Sequence, residues 1–283
     1  MEQRPLPHRI VYLSPAGTTR LAAETIADQL KALNQTVELF DLSSLIQAGS
    51  RAAVYAAWPA TCCLWIGSPV YCDHALPIVE DFIRNLPDGC HGFSIPFATY
   101  GGVTSGLTLP EMAELLGQRN FTPLAAAKIL ALHSSTWCAP KPLAAGHPSA
   151  DELQQLRSLV VAVEKKLMDQ PPAALERSLL NYLPEEMQQS SAAKSLALVK
   201  RALPPLKIDQ TLCTQCGTCA QGCPMGCIDL RPYPEIRSEC IRCLQCVRNC
   251  PEGAFNFDPE PLQSRILELS VLSEEEQISQ FFT

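Results

Sequence analysis

CTQCGTCAQGCPMGCIDLRPYPEIRSECIRCLQCVRNCP, residues 213–251, states one phrase twice. The first copy is Cys213-x2-Cys216-x2-Cys219-x3-Cys223-Pro224. The second is Cys240-x2-Cys243-x2-Cys246-x3-Cys250-Pro251, with every cysteine displaced by 27 residues. The repeat runs on past the prolines, where Met225-Gly226-Cys227-Ile228 aligns with Glu252-Gly253-Ala254-Phe255. Three cysteines stepped by three residues wrap their thiolates around one corner of a metal–sulfide cube, and the fourth, stiffened by its proline, projects away to the neighbouring cube. A zinc ribbon also uses Cys-x2-Cys pairs. Zinc, however, takes four ligands per site and asks for neither the third stepped cysteine nor the Cys-Pro.

This segment resembles the bacterial two-[4Fe–4S] ferredoxins over its whole length. The resemblance implies one cluster on Cys213, Cys216, Cys219 and Cys250, and another on Cys240, Cys243, Cys246 and Cys223. Cys227 sits where the other copy has Ala254, and reads as a small packing residue. A stretch of about 50 residues cannot build a large core, so cluster ligation must supply much of its stability.

Outside this segment the cysteines are sparse. Five of the 14 (Cys62, Cys63, Cys72, Cys90, Cys138) share no spacing, and none occurs from Ala139 to Leu212. The chain's 283 residues predict about two domains, and 47% apolar residues is too many for a disordered chain. A net charge of −7 argues against tracking nucleic-acid phosphates. Met1–His8 is polar and proline-broken, unlike a targeting signal. The uncharged run between Arg51 and Asp73 carries Pro59, Gly67 and Pro69, which suits a buried strand and its loops better than a membrane helix. A cytoplasmic location is expected, without nucleic-acid or membrane partners, and there cysteine crowding points to metal rather than disulfides. The expected division is a first domain at 8–169, a connector at 170–205, the cysteine domain at 206–258 and a tail at 259–283.

The first domain alternates apolar strands with amphipathic helices. Strands are expected at Arg9–Leu13, Thr36–Leu42, Ala60–Ile66, Phe93–Ala98 and Thr122–Leu130. Helices are expected over 20–33, Leu76–Leu86, Leu109–Gln118 and, opened by a Ser149-x-x-Glu152 capping box, to about Met168. The pattern is that of a doubly wound, five-stranded parallel α/β sheet followed by a small α+β domain. Ligands bind such sheets beyond the carboxyl ends of the strands. Three loops lie there: Ser14-Pro15-Ala16-Gly17-Thr18-Thr19, then Gly67-Ser68-Pro69-Val70-Tyr71, then Thr99-Tyr100-Gly101-Gly102. The first offers amides, hydroxyls and a helix N-terminus to an anion. The others let backbone approach a flat ring, with Tyr71 or Tyr100 to stack on it.

Together these loops resemble the flavodoxin-like FMN domain. The resemblance implies that Ser14, Ala16, Gly17, Thr18 and Thr19 hold the FMN phosphate, and that Ser68, Pro69, Val70, Tyr71, Thr99, Tyr100, Gly101 and Gly102 hold the ring. Pro15 supplies no amide, and Thr18 stands where many flavodoxins have Asn. The whole chain resembles flavodoxin–ferredoxin fusion proteins. That resemblance implies an electron carrier between two [4Fe–4S] clusters and FMN, serving a redox partner protein. An FMN-dependent reductase of a small molecule, or a flavin-free ferredoxin with a docking α/β domain, are the alternatives. His74 and Cys72 are candidate proton donors beside the ring. With no G-x-G-x-x-G loop, direct nicotinamide dinucleotide use is not expected.

Two proline pairs, Pro171-Pro172 and Pro204-Pro205, bracket the connector, which reads as two short helices or a solvated linker. The tail, with five glutamates against Arg265, reads as an acidic solvated helix or a docking surface for a basic partner. A homodimer is left open.

Overall fold

The computed structural model describes residues 6–283. The first domain comprises β1 (His8–Tyr12), α1 (Thr18–Ala32), β2 (Val37–Asp41), α2 (Leu42–Gln47), α3 (Arg51–Ala56), β3 (Thr61–Pro69), α4 (Pro77–Arg84), β4 (His91–Tyr100), α5 (Thr108–Gln118), β5 (Phe121–Pro123), β6 (Ala126–Leu130) and α6 (Ala150–Met168). The connector holds α7 (Glu185–Ala192) and α8 (Leu196–Ala202). The cysteine domain follows with β7 (Lys207–Ile208), α9 (Thr218–Gln221), β8 (Ile228–Leu230), β9 (Pro234–Ile236), α10 (Gln245–Arg248) and β10 (Phe255–Asn256). The tail forms α11 (Glu260–Leu272) and β11 (Gln280–Phe282).

The parallel strands run in the order β2-β1-β3-β4-β6, which is the flavodoxin-like order. Chain direction across the sheet reverses between β1 and β3, so the ligand crevice opens above the loops that follow them. β3 is buried through its interior, as a strand covered on both faces must be. One face packs Ile10, Trp65, Phe97 and Ile129 against Ile26 and Leu30 of α1 and Leu156 and Val160 of α6. The other packs Val11, Leu64 and Ile66 against Val79, Phe82 and Met112 of α4 and α5. The capping box at Ser149 and Glu152 closes in both directions.

The expected fifth strand is split. Pro123 has no N–H to give the ladder, its carbonyl accepts Leu175 N at 2.7 Å, and Leu124 N donates to Ser94 O. β5 therefore pairs with the start of β4, and β6 with its end. Helices α2 and α3 occupy a stretch to which the sequence pattern assigned no element.

The tail is not wholly a solvated helix. After α11 the chain returns to the sheet, and β11 pairs antiparallel with β6. Phe281 packs into the α1–α6 core, while Phe282 stacks on Tyr182 of the connector at 5.3 Å between centroids. Glu275, one of the five tail glutamates, is buried. Its carboxylate accepts from Lys128 Nζ at 2.8 Å, Ser105 N at 2.7 Å and Thr104 Oγ1 at 2.7 Å. Lys128 is the lone charge of an apolar strand, and a cation so placed requires a buried anion.

Candidate functional site

In the cysteine domain each copy of the repeat makes a turn followed by one short helix, α9 or α10. Gly217 and Leu244 precede these helices in left-handed conformations, at φ 77° and 59°. The structure brings the thiols together across the repeat. Cys213, Cys216, Cys219 and Cys250 line one cavity. Cys223, Cys240, Cys243 and Cys246 line another, joined there by Cys227. Each cavity thus takes three thiols from one copy and the Cys-Pro thiol of the other. Among the described residues no three such side chains converge to hold a single metal ion. The thiols are spaced around a volume instead, which fits a cube of metal and sulfide. Backbone amides also point at ligand sulfurs: Arg242 N donates to Cys240 Sγ at 3.4 Å, and Ala254 N to Cys250 Sγ at 3.3 Å.

The two cavities differ in setting. The first is lined only by residues between Ile208 and Phe255, and Cys216 at its rim is exposed. The second faces the sheet domain, where Ile241, Met225 and Cys243 join the core formed by Leu13, Ile66 and Tyr71. Gln47 Nε2, at the end of α2, donates to Cys223 O at 2.8 Å. From α10, Arg248 extends over the Trp137 ring in the loop after β6, 6.0 Å from its centroid. Burial first, and then the neighbouring Cys243 sulfur, push the Tyr71 phenol well above its ordinary range.

At the carboxyl edge of the sheet, the loop after β1 stands open. Gly17 caps α1 at φ 94° with free space above its Cα and no side chain to offer, and α1 has no acidic residue in its first turn. Ser14 Oγ accepts Arg20 N at 2.9 Å, which orders the loop. The N-terminus of this 15-residue helix, where Ser14 takes up the Arg20 amide, fits a phosphate on the remaining amides. Thr19 is buried and bonded to Thr99 Oγ1 at 2.7 Å, so these two hydroxyls tie one loop to another rather than face the crevice.

The ring-side loops are more committed than the sequence implied. Ser68 is fully buried, accepting Leu76 N and donating to Pro69 O. Tyr100 is buried too, and its hydroxyl donates to the carbonyls of Glu276 and Ile278 at 3.0 Å each. Gly101 lies under His133, where an added Cβ would meet the imidazole at 2.4 Å. Gly102 is buried beside Leu143 and Gln277. Pro69, Val70, Tyr71 and Gly101 remain partly accessible.

His74 and Cys72 are not free acids. His74 Nδ1 lies 2.9 Å from the Glu111 carboxylate, and Nε2 lies 2.9 Å from Ser191 O and 3.1 Å from Lys194 O. Acceptors on both sides require both ring nitrogens to carry hydrogen. Burial pulls the imidazole pKa down, but Glu111 and the two carbonyls outweigh it and the net shift is upward. Burial, and then the Asp73 carboxylate, push the Cys72 thiol up to about 11. Asp73 binds Lys194 Nζ at 2.5 Å and Ser191 Oγ at 2.9 Å, so α7 is fastened over this loop. The sequence reading passed over Asp73, Lys194, Gln47 and Arg248. Only Lys128, charged within an apolar strand, carried a signal.

Residues 205–251 match the family model of the 4Fe-4S dicluster domain. The first domain is similar to an archaeal flavodoxin, at 18% identity over 58% of this chain and all of that one, with a TM-score of 0.42. It is similar to rubredoxin oxygen:oxidoreductase from Desulfovibrio gigas, at 21% identity over 59% of this chain and 39% of that one, with a TM-score of 0.40. It is also similar to an NADH:FMN oxidoreductase, at 16% identity over 61% of this chain and 98% of that one, with a TM-score of 0.43. No curated protein matches the chain. By its own strand order and the matched segment, the molecule is an α/β sheet protein joined to an iron–sulfur domain. More particularly, it is a fusion of a flavodoxin-like domain with a 4Fe-4S dicluster domain. Among the described residues no helix is long and apolar enough to cross a membrane.

Proposed function

We propose that this chain is an electron-transfer flavoprotein that carries electrons between two [4Fe–4S] clusters and FMN. The observation that carries the reading is the seat of the inner cavity. Its wall residues Ile241 and Cys243 pack into the same core as Tyr71, which ends the loop after β3 at the ligand edge of the sheet. The outer cavity, with exposed Cys216, faces away and would meet a redox partner protein. Single electrons then have an ordered route: partner, outer cluster, inner cluster, ring. FMN would supply the junction between one-electron and two-electron chemistry.

The residues divide the work. Ser14, Thr18 and the start of α1 hold the phosphate, while Pro69–Tyr71 and Gly101 border the ring. Arg248 and Trp137 close the gap between the domains, and Gln47 holds the inner Cys-Pro turn against α2.

A carrier is favoured over a reductase of small molecules because the groups that would serve a substrate are already engaged. His74 is held on both nitrogens. A larger cleft is lined by Asp73, Thr104, Lys194 and Leu272, without Tyr71, Cys72 or His74. The test is iron, acid-labile sulfide and FMN content of anaerobically purified protein, with its visible spectrum through a dithionite titration. About eight irons and one FMN per chain support the carrier. Eight irons with no FMN, even after FMN is added, overturn the flavin half.

A further inference from the structure

The two halves of the cysteine repeat agree at all eight ligand positions and differ at the ninth. Ala254 follows Cys250 by four residues, and Cys227 follows Cys223 by four. In the second half the Ala254 amide donates to Cys250 Sγ at 3.3 Å. In the first half a side chain stands beside the Cys-Pro sulfur. The Cys227 thiol is 1% exposed, and its Sγ lies 3.5 Å from Cys223 Sγ. Cys240 lines the same inner cavity. The inner site therefore has five sulfurs, of which a [4Fe–4S] cube needs four.

We propose that Cys227 is a positioning residue for the inner cluster. Its S–H donates to the ligand sulfur of Cys223 and raises that cluster's reduction potential. The inference rests on the two-cluster reading above. A reduced cluster carries one more negative charge than an oxidised one, and a donor aimed at a ligand sulfur stabilises the reduced form more. Solvent does this for the outer cluster near Cys216. The inner cluster, seated against Ile241 and Tyr71, has less solvent, and the Cys227 thiol offsets that loss. An electron arriving at the outer cluster is thereby not held there by a deep step at the inner one.

The experiment is a redox titration of the anaerobic holoprotein followed by electron paramagnetic resonance, with iron counted on each sample. Cys227→Ala installs the residue that the other half of the repeat already carries. It is expected to lower the reduction equilibrium constant of one cluster three- to tenfold, about 28–59 mV, and to leave the other unmoved. Cys227→Ser keeps a donor and is expected to recover at least half of that shift. Ala254→Cys is expected to raise the potential of the other cluster. Unshifted potentials in Cys227→Ala overturn the proposal, as does an equal shift of both clusters. Iron falling toward four in Cys227→Ala would make the thiol a ligand and also overturn it. A wild-type protein without two reducible clusters defeats the underlying reading, and that failure is seen before any variant is made.

Discussion

Gln47 and Cys223 stand 176 residues apart and meet at 2.8 Å, side-chain amide to backbone carbonyl. Gln47 ends α2, beside the edge strand of the sheet. Cys223 is the thiol that crosses from one half of the cysteine repeat to the cavity of the other. One hydrogen bond thus joins the sheet domain to the turn that carries an inner-cluster ligand. Gln47→Ala is expected to cost about 1 kcal/mol at this contact. The holoprotein should lose its visible iron–sulfur absorbance faster on mild heating, while iron content at the start is unchanged. An unaltered bleaching rate would show that the apolar contacts of Ile241 and Met225 hold the domains without it.

Cys250 belongs to the second copy in sequence but lines the outer cavity with Cys213, Cys216 and Cys219. Cys250→Ala is therefore expected to empty the outer site and spare the inner one, leaving about four irons per chain. Because the inner site touches the sheet domain, the remaining cluster should still exchange electrons with the flavin. Retention of about eight irons would mean that the cavities do not report the ligand sets.

Thr18 opens α1 after Gly17, an N-cap residue with no side chain to offer. Thr18→Asp places a carboxylate there, which favours the helix by about 0.3–1 kcal/mol through its dipole. The same charge repels a phosphate, so FMN affinity should fall at least a hundredfold while thermal stability holds or rises. A fluorescence titration of the apoprotein with FMN measures the first, and a melting curve the second. Undiminished affinity would place the phosphate elsewhere.

Lys128 and Glu275 form a buried ion pair at 2.8 Å between β6 and the tail, with side chains 2% and 3% exposed. Lys128→Met leaves the carboxylate with only Ser105 and Thr104 as donors, and should destabilise the sheet domain by about 3–5 kcal/mol. Urea unfolding followed by far-ultraviolet circular dichroism measures it. The end of the chain beyond Glu275 should become protease-sensitive in the variant.

His74 gives a pH dependence with a definite sign. Its folded pKa is raised, so the stability it contributes is complete below the unfolded value near 6.5 and is lost as pH rises through the folded value. His74→Gln should narrow the melting-temperature gap to wild type as pH increases from 6 to 9, the gap being widest at the acid end. A gap that widens with pH would mean that the imidazole is neutral in the fold.

Some of this was legible in the chain and some was not. The spacing Cys213-x2-Cys216-x2-Cys219 determines which thiols can share one corner of a cavity, because a few residues of backbone set their reach. The alternation of apolar strands and amphipathic helices likewise marked out a doubly wound α/β sheet, since each window carries its own period. Pro123 carried the break in the fifth strand in its missing N–H, yet it was passed over. The contacts across more than a hundred residues came only with the folded chain: Gln47 on Cys223, Glu275 on Lys128, β11 on β6, and Ile241 in the core that Tyr71 shares. None follows from a local pattern, because each depends on two distant surfaces matching in shape and charge once both have formed. Those matches set the inner cavity against the sheet and the outer one toward solvent, an order that the cysteine repeat, nearly symmetric in sequence, could not itself express.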